Sequence, residues 1–121
     1  MTHTTAQTPE DITALFVQFS NDGDADAVAP LYDEDATMGY PAGQVTQGRE
    51  AIRELWAQVL AHRPTFAAED PMPTLYYGED LALTSTAPRD GAGARAQVVR
   101  KQADGSWVRI IDMPEFAPVE E

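Results

Sequence analysis

The sequence contains no cysteine. That excludes disulfides, thiolate nucleophiles, and zinc or iron–sulfur centres held by thiolates. Histidine is nearly as scarce, with only His3 and His62, too few for a His-rich metal site, so no metal is expected. Basic residues are few: 8 Lys+Arg stand against 20 Asp+Glu, a formal net charge of −12 at pH 7. A surface of that sign repels phosphate backbones and anionic lipid, so neither nucleic acid nor a membrane is an expected partner. No apolar run approaches the roughly 20 residues of a membrane span. The opening segment MTHTTAQTPED lacks the basic and apolar regions of a secretory signal, which leads to an expectation of a cytoplasmic protein. Phosphate loops, dinucleotide fingerprints, nucleophile elbows and paired-His motifs are all missing, and no cofactor is expected.

The 121 residues, 43% of them hydrophobic, suffice for one ordinary core. A single domain over residues 1–121 is expected, its core about 8–116. Helices come first. Thr8 can cap a helix, Pro9 suits its first position, and Glu10 and Asp11 sit at the positive end of its dipole. Ile12, Leu15, Phe16 and Phe19 then form an amphipathic stripe, and Asn21-Asp22-Gly23 ends it. Asp24 can cap a shorter helix carrying Val28, Leu31 and Tyr32, which Pro30 should bend or shorten. A third helix after Gly48 carries Ile52, Leu55, Trp56, Val59 and Leu60, and Pro64 closes it.

The strands follow. Short ones are expected at Ala36–Tyr40 and Gln44–Gln47, then Thr65–Glu69, Thr74–Tyr77, Leu81–Ala87, Arg95–Gln102 and Ser106–Phe116. Turn signals separate the later ones at Gly78-Glu79-Asp80, Pro88-Arg89-Asp90-Gly91 and Ala103-Asp104-Gly105. Helices first and hairpins afterwards predict an α+β fold. On the last strand, simple alternation puts Val108, Ile110 and Asp112 on one face and Trp107, Arg109, Ile111 and Met113 on the other. Both faces are largely apolar, so a second subunit is expected to cover one of them, giving a homodimer.

The acidic cluster Asp22, Asp24, Asp26, Asp33, Glu34, Asp35 lacks the glycine and terminal glutamate of an EF-hand loop, and capping explains Asp22 and Asp24 better than calcium does. His62 at a helix end reads as an imidazolium on the dipole. Arg49 and Arg53, beside Glu50 and Glu54, read as helix-surface charges. One of Tyr76 and Tyr77 is expected to face solvent or a partner. Met38 and Met113 are adaptable apolar lining.

The segments Asn21-Asp22-Gly23-Asp24-Ala25-Asp26, Leu31-Tyr32-Asp33-Glu34-Asp35-Ala36-Thr37-Met38 and Gly48-Arg49-Glu50-Ala51-Ile52, with Pro41 and Gly43 between, resemble the nuclear-transport-factor-2-like superfamily. They are most similar to its ketosteroid-isomerase and SnoaL-type polyketide-cyclase branch. The closing stretch Val98-Val99-Arg100 and Asp104-Gly105-Ser106-Trp107-Val108-Arg109-Ile110 agrees. The resemblance implies a cone, a strongly curved antiparallel sheet wrapped around the helices (the cystatin-like α+β barrel), with a pocket for a small apolar molecule. Members include isomerases, cyclases, dehydratases, epoxide hydrolases and plain binding modules, so the fold alone does not choose the chemistry.

Carried over by position, the steroid-isomerase tyrosine is Phe16, its base is Tyr40 and its oxyanion acid is Gln97. All three differ. Phe16 donates no hydrogen bond and a neutral tyrosine is a poor base, so that constellation is lost. The resemblance instead implies Asp112, on the terminal strand, as the base. Tyr40 would be the donor to the developing oxyanion and Gln97 a second donor, with Phe16, Trp56, Met38 and Ile110 lining the pocket. The expected function is cofactor-free isomerisation, cyclisation or dehydration of an apolar natural-product carbonyl compound. The alternatives are a binding protein that sequesters a hydrophobic metabolite, and water activation by Asp112 for epoxide opening. For Asp112 the competing reading is structural, with the carboxylate accepting hydrogen bonds from Arg109 or backbone.

Overall fold

The structure is a computed structural model and describes residues 5–40, 43–63, 65, 71–87 and 94–113. Helix α1 spans Pro9–Asn21. Its start is a capping box: Thr8 accepts from the Asp11 backbone while the Asp11 carboxylate accepts from the Thr8 backbone, with Pro9 in the first turn. Ile12, Phe16 and Phe19 are buried, and Gly23 follows the helix at φ 71°, where a side chain would be strained. The Asp24 carboxylate then accepts from the Ala27 backbone at 3.0 Å, capping α2, Ala25–Val28. Pro30 falls in a 3-10 turn, Ala29–Leu31, whose tighter winding tolerates it near the start.

Strand β1 runs Tyr32–Met38 and β2 Thr46–Gln47. Helix α3, Arg49–Leu60, buries Ile52, Trp56 and Leu60. The remaining strands are β3 Leu75–Tyr77, β4 Leu81–Thr86, β5 Arg95–Lys101 and β6 Trp107–Met113. They form one curved, unclosed sheet in the order β2-β1-β6-β5-β4-β3. Helices α1, α2 and α3 cover one face, and the core lies between: Ile12, Phe16, Leu31, Met38, Ile52, Trp56, Val99 and Trp107 among its members. Fully burying each of the larger of these contributes roughly 1.5–3 kcal/mol.

Three expectations are corrected. Tyr32 belongs to β1, not to the second helix: the 3-10 turn around Pro30 ends at Leu31 and the chain is extended at Tyr32. The sheet is not wholly antiparallel, because β1, which opens it in sequence, pairs in parallel with β6, which ends it. The third correction concerns β6. Val99 lies opposite Arg109 and Val98 opposite Ile111, so Ile110 is one residue too many on its strand. Such a bulge resets the alternation of side chains. Asp112 therefore shares the core face with Trp107 and Arg109, and not with Val108 and Ile110. The strand expected at Thr65–Glu69, the turn at Pro88–Gly91, Pro41 and Pro64, and the expected extension of the last strand to Phe116 lie outside the described residues, apart from the isolated Thr65.

Candidate functional site

The bulge creates the site. Arg109 and Asp112 are three residues apart, yet Arg109 Nη1 lies 3.5 Å from Asp112 Oδ2. Both are buried, at 3% and 1% exposure. Tyr32, at the start of β1 and in register with Arg109, donates its hydroxyl to the same Oδ2 at 2.6 Å. Its hydroxyl also accepts from Arg109 Nη1 at 3.3 Å and lies 3.9 Å from Met38 Sδ. Gln97 is directly opposite Asp112 on β5 and donates from Nε2 to Asp112 Oδ1 at 3.2 Å. Thr84, opposite Gln97 on β4, donates to Gln97 Oε1 at 3.0 Å and so fixes which way the amide points.

The two carboxylate oxygens are thus unequal. Oδ2 takes Tyr32 and Arg109; Oδ1 takes the Gln97 amide alone and keeps a lone pair. Burial above all, and then the charge of Asp112, hold the Tyr32 hydroxyl far above the usual tyrosine range. Tyr32 is therefore a locked donor.

An aromatic wall adjoins this network. The Arg109 guanidinium lies 4.9 Å from the Phe16 ring centroid and 5.6 Å from that of Tyr32, a favourable placing of a cation on ring faces. Phe16 meets Trp56 edge-on at 5.1 Å. Tyr40 lies nearly parallel to Trp56, with centroids 6.2 Å apart.

Of the residues singled out from sequence, the structure brings together Asp112 and Gln97 in direct contact, with Met38 beside Tyr32. Phe16 joins them to Trp56 and Tyr40. Tyr40 makes no side-chain hydrogen bond to Asp112; its contact is with Trp56, and its carbonyl accepts from the Thr46 hydroxyl at 2.7 Å. Ile110 is half-buried in the bulge. Arg49 is more than a surface charge, since its Nε donates to the Tyr32 carbonyl at 2.9 Å and ties α3 to β1. Arg53 does stay at the surface with Glu50 and Asp26. Tyr76 packs edge-on to Trp107 and Tyr77 is exposed.

Sequence reasoning missed Tyr32 and Thr84. Tyr32 follows the short helix and its apolar spacing reads as part of it, and nothing in the sequence marks the bulge that brings Arg109 round to it. Among the described residues no group of three or more His, Asp or Glu side chains is arranged to hold a metal, and no helix is long and apolar enough to cross a membrane. A cleft of about 550 Å³ opens elsewhere, between the ends of α1 and α3 and the start of α2. None of the Asp112 network lines it.

A curved, unclosed sheet with helices on one face is the α+β architecture of solved structures described as having a cystatin-like fold. Residues 12–110 match the SnoaL-like domain, and the chain belongs to that family. Solved structures agree on the fold. A ketosteroid isomerase-like protein from Erwinia carotovora atroseptica superposes with a TM-score of 0.68 at 20% identity, over 90% of this chain and 94% of its own. A candidate dehydratase of the NTF2-like family from Streptomyces avermitilis gives 0.71 at 16% identity, over 93% and 94%. A cystatin-like protein of unknown function from Nostoc punctiforme gives 0.65 at 20%, over 90% and 88%. No curated protein matches the chain.

Proposed function

We propose that the core side of the sheet binds a small, largely apolar carbonyl compound and that Asp112 moves a proton on the carbon beside its carbonyl. The observation that carries this reading is the asymmetry of the buried carboxylate: Oδ2 is held by Tyr32 and Arg109 while Oδ1 keeps a lone pair. Oδ1 accepts the proton from carbon. The electron pair of the broken C–H bond forms a carbon–carbon double bond, and the carbonyl oxygen becomes an enolate oxygen. Return of the proton to a different carbon completes an isomerisation; departure of a hydroxyl group, which takes the proton back from Asp112 and leaves as water, completes a dehydration; attack of the enolate carbon on a second carbonyl of the substrate, whose oxygen takes the proton, closes a ring. No cofactor takes part.

The roles follow from position. Tyr32 and Arg109 hold the carboxylate in place, and Gln97, itself oriented by Thr84, aims Oδ1. Gln97 is thus a positioning residue more than the second oxyanion donor that the family comparison implies. Tyr40 remains the oxyanion donor of the proposal. The family and its solved relatives include proteins named for isomerase and dehydratase chemistry, which supports this reaction class without naming a substrate. A natural-product carbonyl compound and a homodimeric, cytoplasmic enzyme complete the proposal.

One observation favours the second reading, a binding protein without turnover: Asp112 is 1% exposed, as suits a carboxylate whose task is to hold the sheet together. Proton exchange separates the two. In heavy water the protein should introduce deuterium beside the carbonyl of flat apolar ketones, at a rate that Asp112→Asn lowers by on the order of 100- to 10,000-fold. Ketones that bind but exchange no faster than in buffer would leave the binding reading in its place.

A further inference from the structure

We propose that the cleft between the ends of α1 and α3 is a second ligand site, and that it takes a primary alkylammonium. This goes beyond the reaction proposed for Asp112, since none of that network lines the cleft.

The cleft measures about 550 Å³, within the range of small-molecule pockets. Asp22, Asp24 and Asp26 line it, against Arg53 and Arg63. Arg53 is already held, by Glu50 at 2.9 Å and by Asp26 at 3.5 Å. Arg63 is exposed, and so long a side chain can keep its charged head in water. The Asp24 carboxylate is taken by the Ala27 backbone. Asp22 is then the carboxylate without a side-chain partner among the described residues. The helices add to the negative potential. Asp22 caps the C-terminal end of α1, and the cleft also borders the last turn of α3. Neither helix has a basic residue in its last turn, so the carbonyl ends of both favour a cation.

Ser20 points to a ligand and not merely to a solvated acidic surface. It lines the cleft and is 2% exposed, yet its Oγ has no hydrogen-bond partner among the described residues. A buried hydroxyl without a partner costs stability, and alanine would suit that helical position better. An ammonium gives the hydroxyl its missing partner. Among the described residues no three acidic side chains are grouped to hold a metal, which is what a bare divalent cation needs. An ammonium needs only one acceptor for each N–H: Asp22 supplies the charge and Ser20 Oγ a neutral acceptor. Ala25, Ala57, Leu60 and Ala61 give the alkyl chain an apolar surface.

The test follows backbone amide resonances of the full-length ¹⁵N-labelled protein with hexylamine, 1-hexanol and hexyltrimethylammonium, which share a chain and differ in charge and in N–H. Hexylamine should give saturable shifts confined to residues 20–26 and 57–61. Asp22→Asn should weaken it about tenfold, the order of one charge-assisted hydrogen bond. The alcohol lacks the charge and the trimethylammonium ion lacks the N–H, so each should bind about tenfold more weakly than the amine. Ser20→Ala should weaken hexylamine too, with Tm unchanged or higher, because it removes an unpaired hydroxyl. A lower Tm would show that the hydroxyl serves the fold and would overturn its role. Equal binding of all three probes would reduce the cleft to an apolar patch and overturn the proposal. Unsaturable shifts reaching Glu34, Glu50 and Glu54 would be the general pull of a protein of net charge −12 on any cation. That result would sink the site, as would the absence of any shift.

Discussion

Arg109 and Asp112, three residues apart on one strand, meet at 3.5 Å on the core face of the sheet. In a regular strand residues at that spacing point to opposite faces. The extra residue, Ile110, brings them together, and the pair then organises Tyr32, Gln97 and Thr84 around it.

The first prediction concerns the energetics of this pair. Asp112→Asn leaves a guanidinium buried without its counter-charge, and breaking a buried ion pair from one side costs about 3–5 kcal/mol. Arg109→Met alone leaves the carboxylate in the same position and should cost about as much. The double substitution Arg109→Met, Asp112→Asn should recover a large part of the loss, because no uncompensated charge remains. Urea unfolding of the four proteins gives the coupling directly. Additive losses would show that the two charges do not sense each other.

The second is a dependence on alkaline pH. The Tyr32 hydroxyl is held protonated in the fold, so its folded value lies above the ordinary 10.0 of an unfolded chain. The stability this contributes is complete below that value and is lost as the pH rises beyond it. Stability should therefore fall steadily as the pH rises above about 10, and Tyr32→Phe should flatten that slope by on the order of one proton. Unfolding followed by circular dichroism at stepped pH measures it. Equal slopes for both proteins would remove Tyr32 as the cause.

The third concerns assembly. Leu75, Leu83, Val98 and Ile111 lie opposite one another in turn across β3, β4, β5 and β6, on the face turned away from the helices. Ile111 is 52% exposed and Leu75 63%. A continuous apolar row of that kind is the surface proposed to meet a second copy of the chain. Sedimentation should give a dimer at micromolar concentration, and Ile111→Glu should give a folded monomer. A wild-type monomer would refute the proposed contact.

The fourth concerns a close approach. A Cβ on Gly39 would stand 2.7 Å from Met113 Sδ, while the Gly39 N–H donates to the Asp112 carbonyl at 2.8 Å. The thioether is the flexible end of a half-buried side chain and can give way, so Gly39→Ala should cost no more than about 1 kcal/mol. Adding Met113→Ala should remove what cost remains, since the thioether is the group in the way. Thermal unfolding of the single and double variants checks this, and a Gly39→Ala protein that does not fold would contradict it.

Much of this protein is written locally and was legible in the sequence. Thr8, Pro9 and Asp11 announce the start of α1, Asp22-Gly23-Asp24 its end, and Ile52, Trp56 and Leu60 the buried stripe of α3. Each signal acts within a turn or two of chain, so composition and spacing suffice to read it. The position of Asp112 and Gln97 on neighbouring strands was likewise legible, because the Asp104-Gly105 turn sets the hairpin that joins β5 to β6. What only the tertiary structure decided is which face of β6 each residue occupies. A bulge is chosen by the packing of strands on both sides of it, Val98 and Val99 on β5 and Tyr32 and Thr37 on β1, and no periodicity within β6 records that choice. Tyr32 shows the same limit. Its neighbours in sequence make it look like the end of a helix; its parallel pairing with Arg109, 77 residues away, makes it the donor that holds the buried carboxylate.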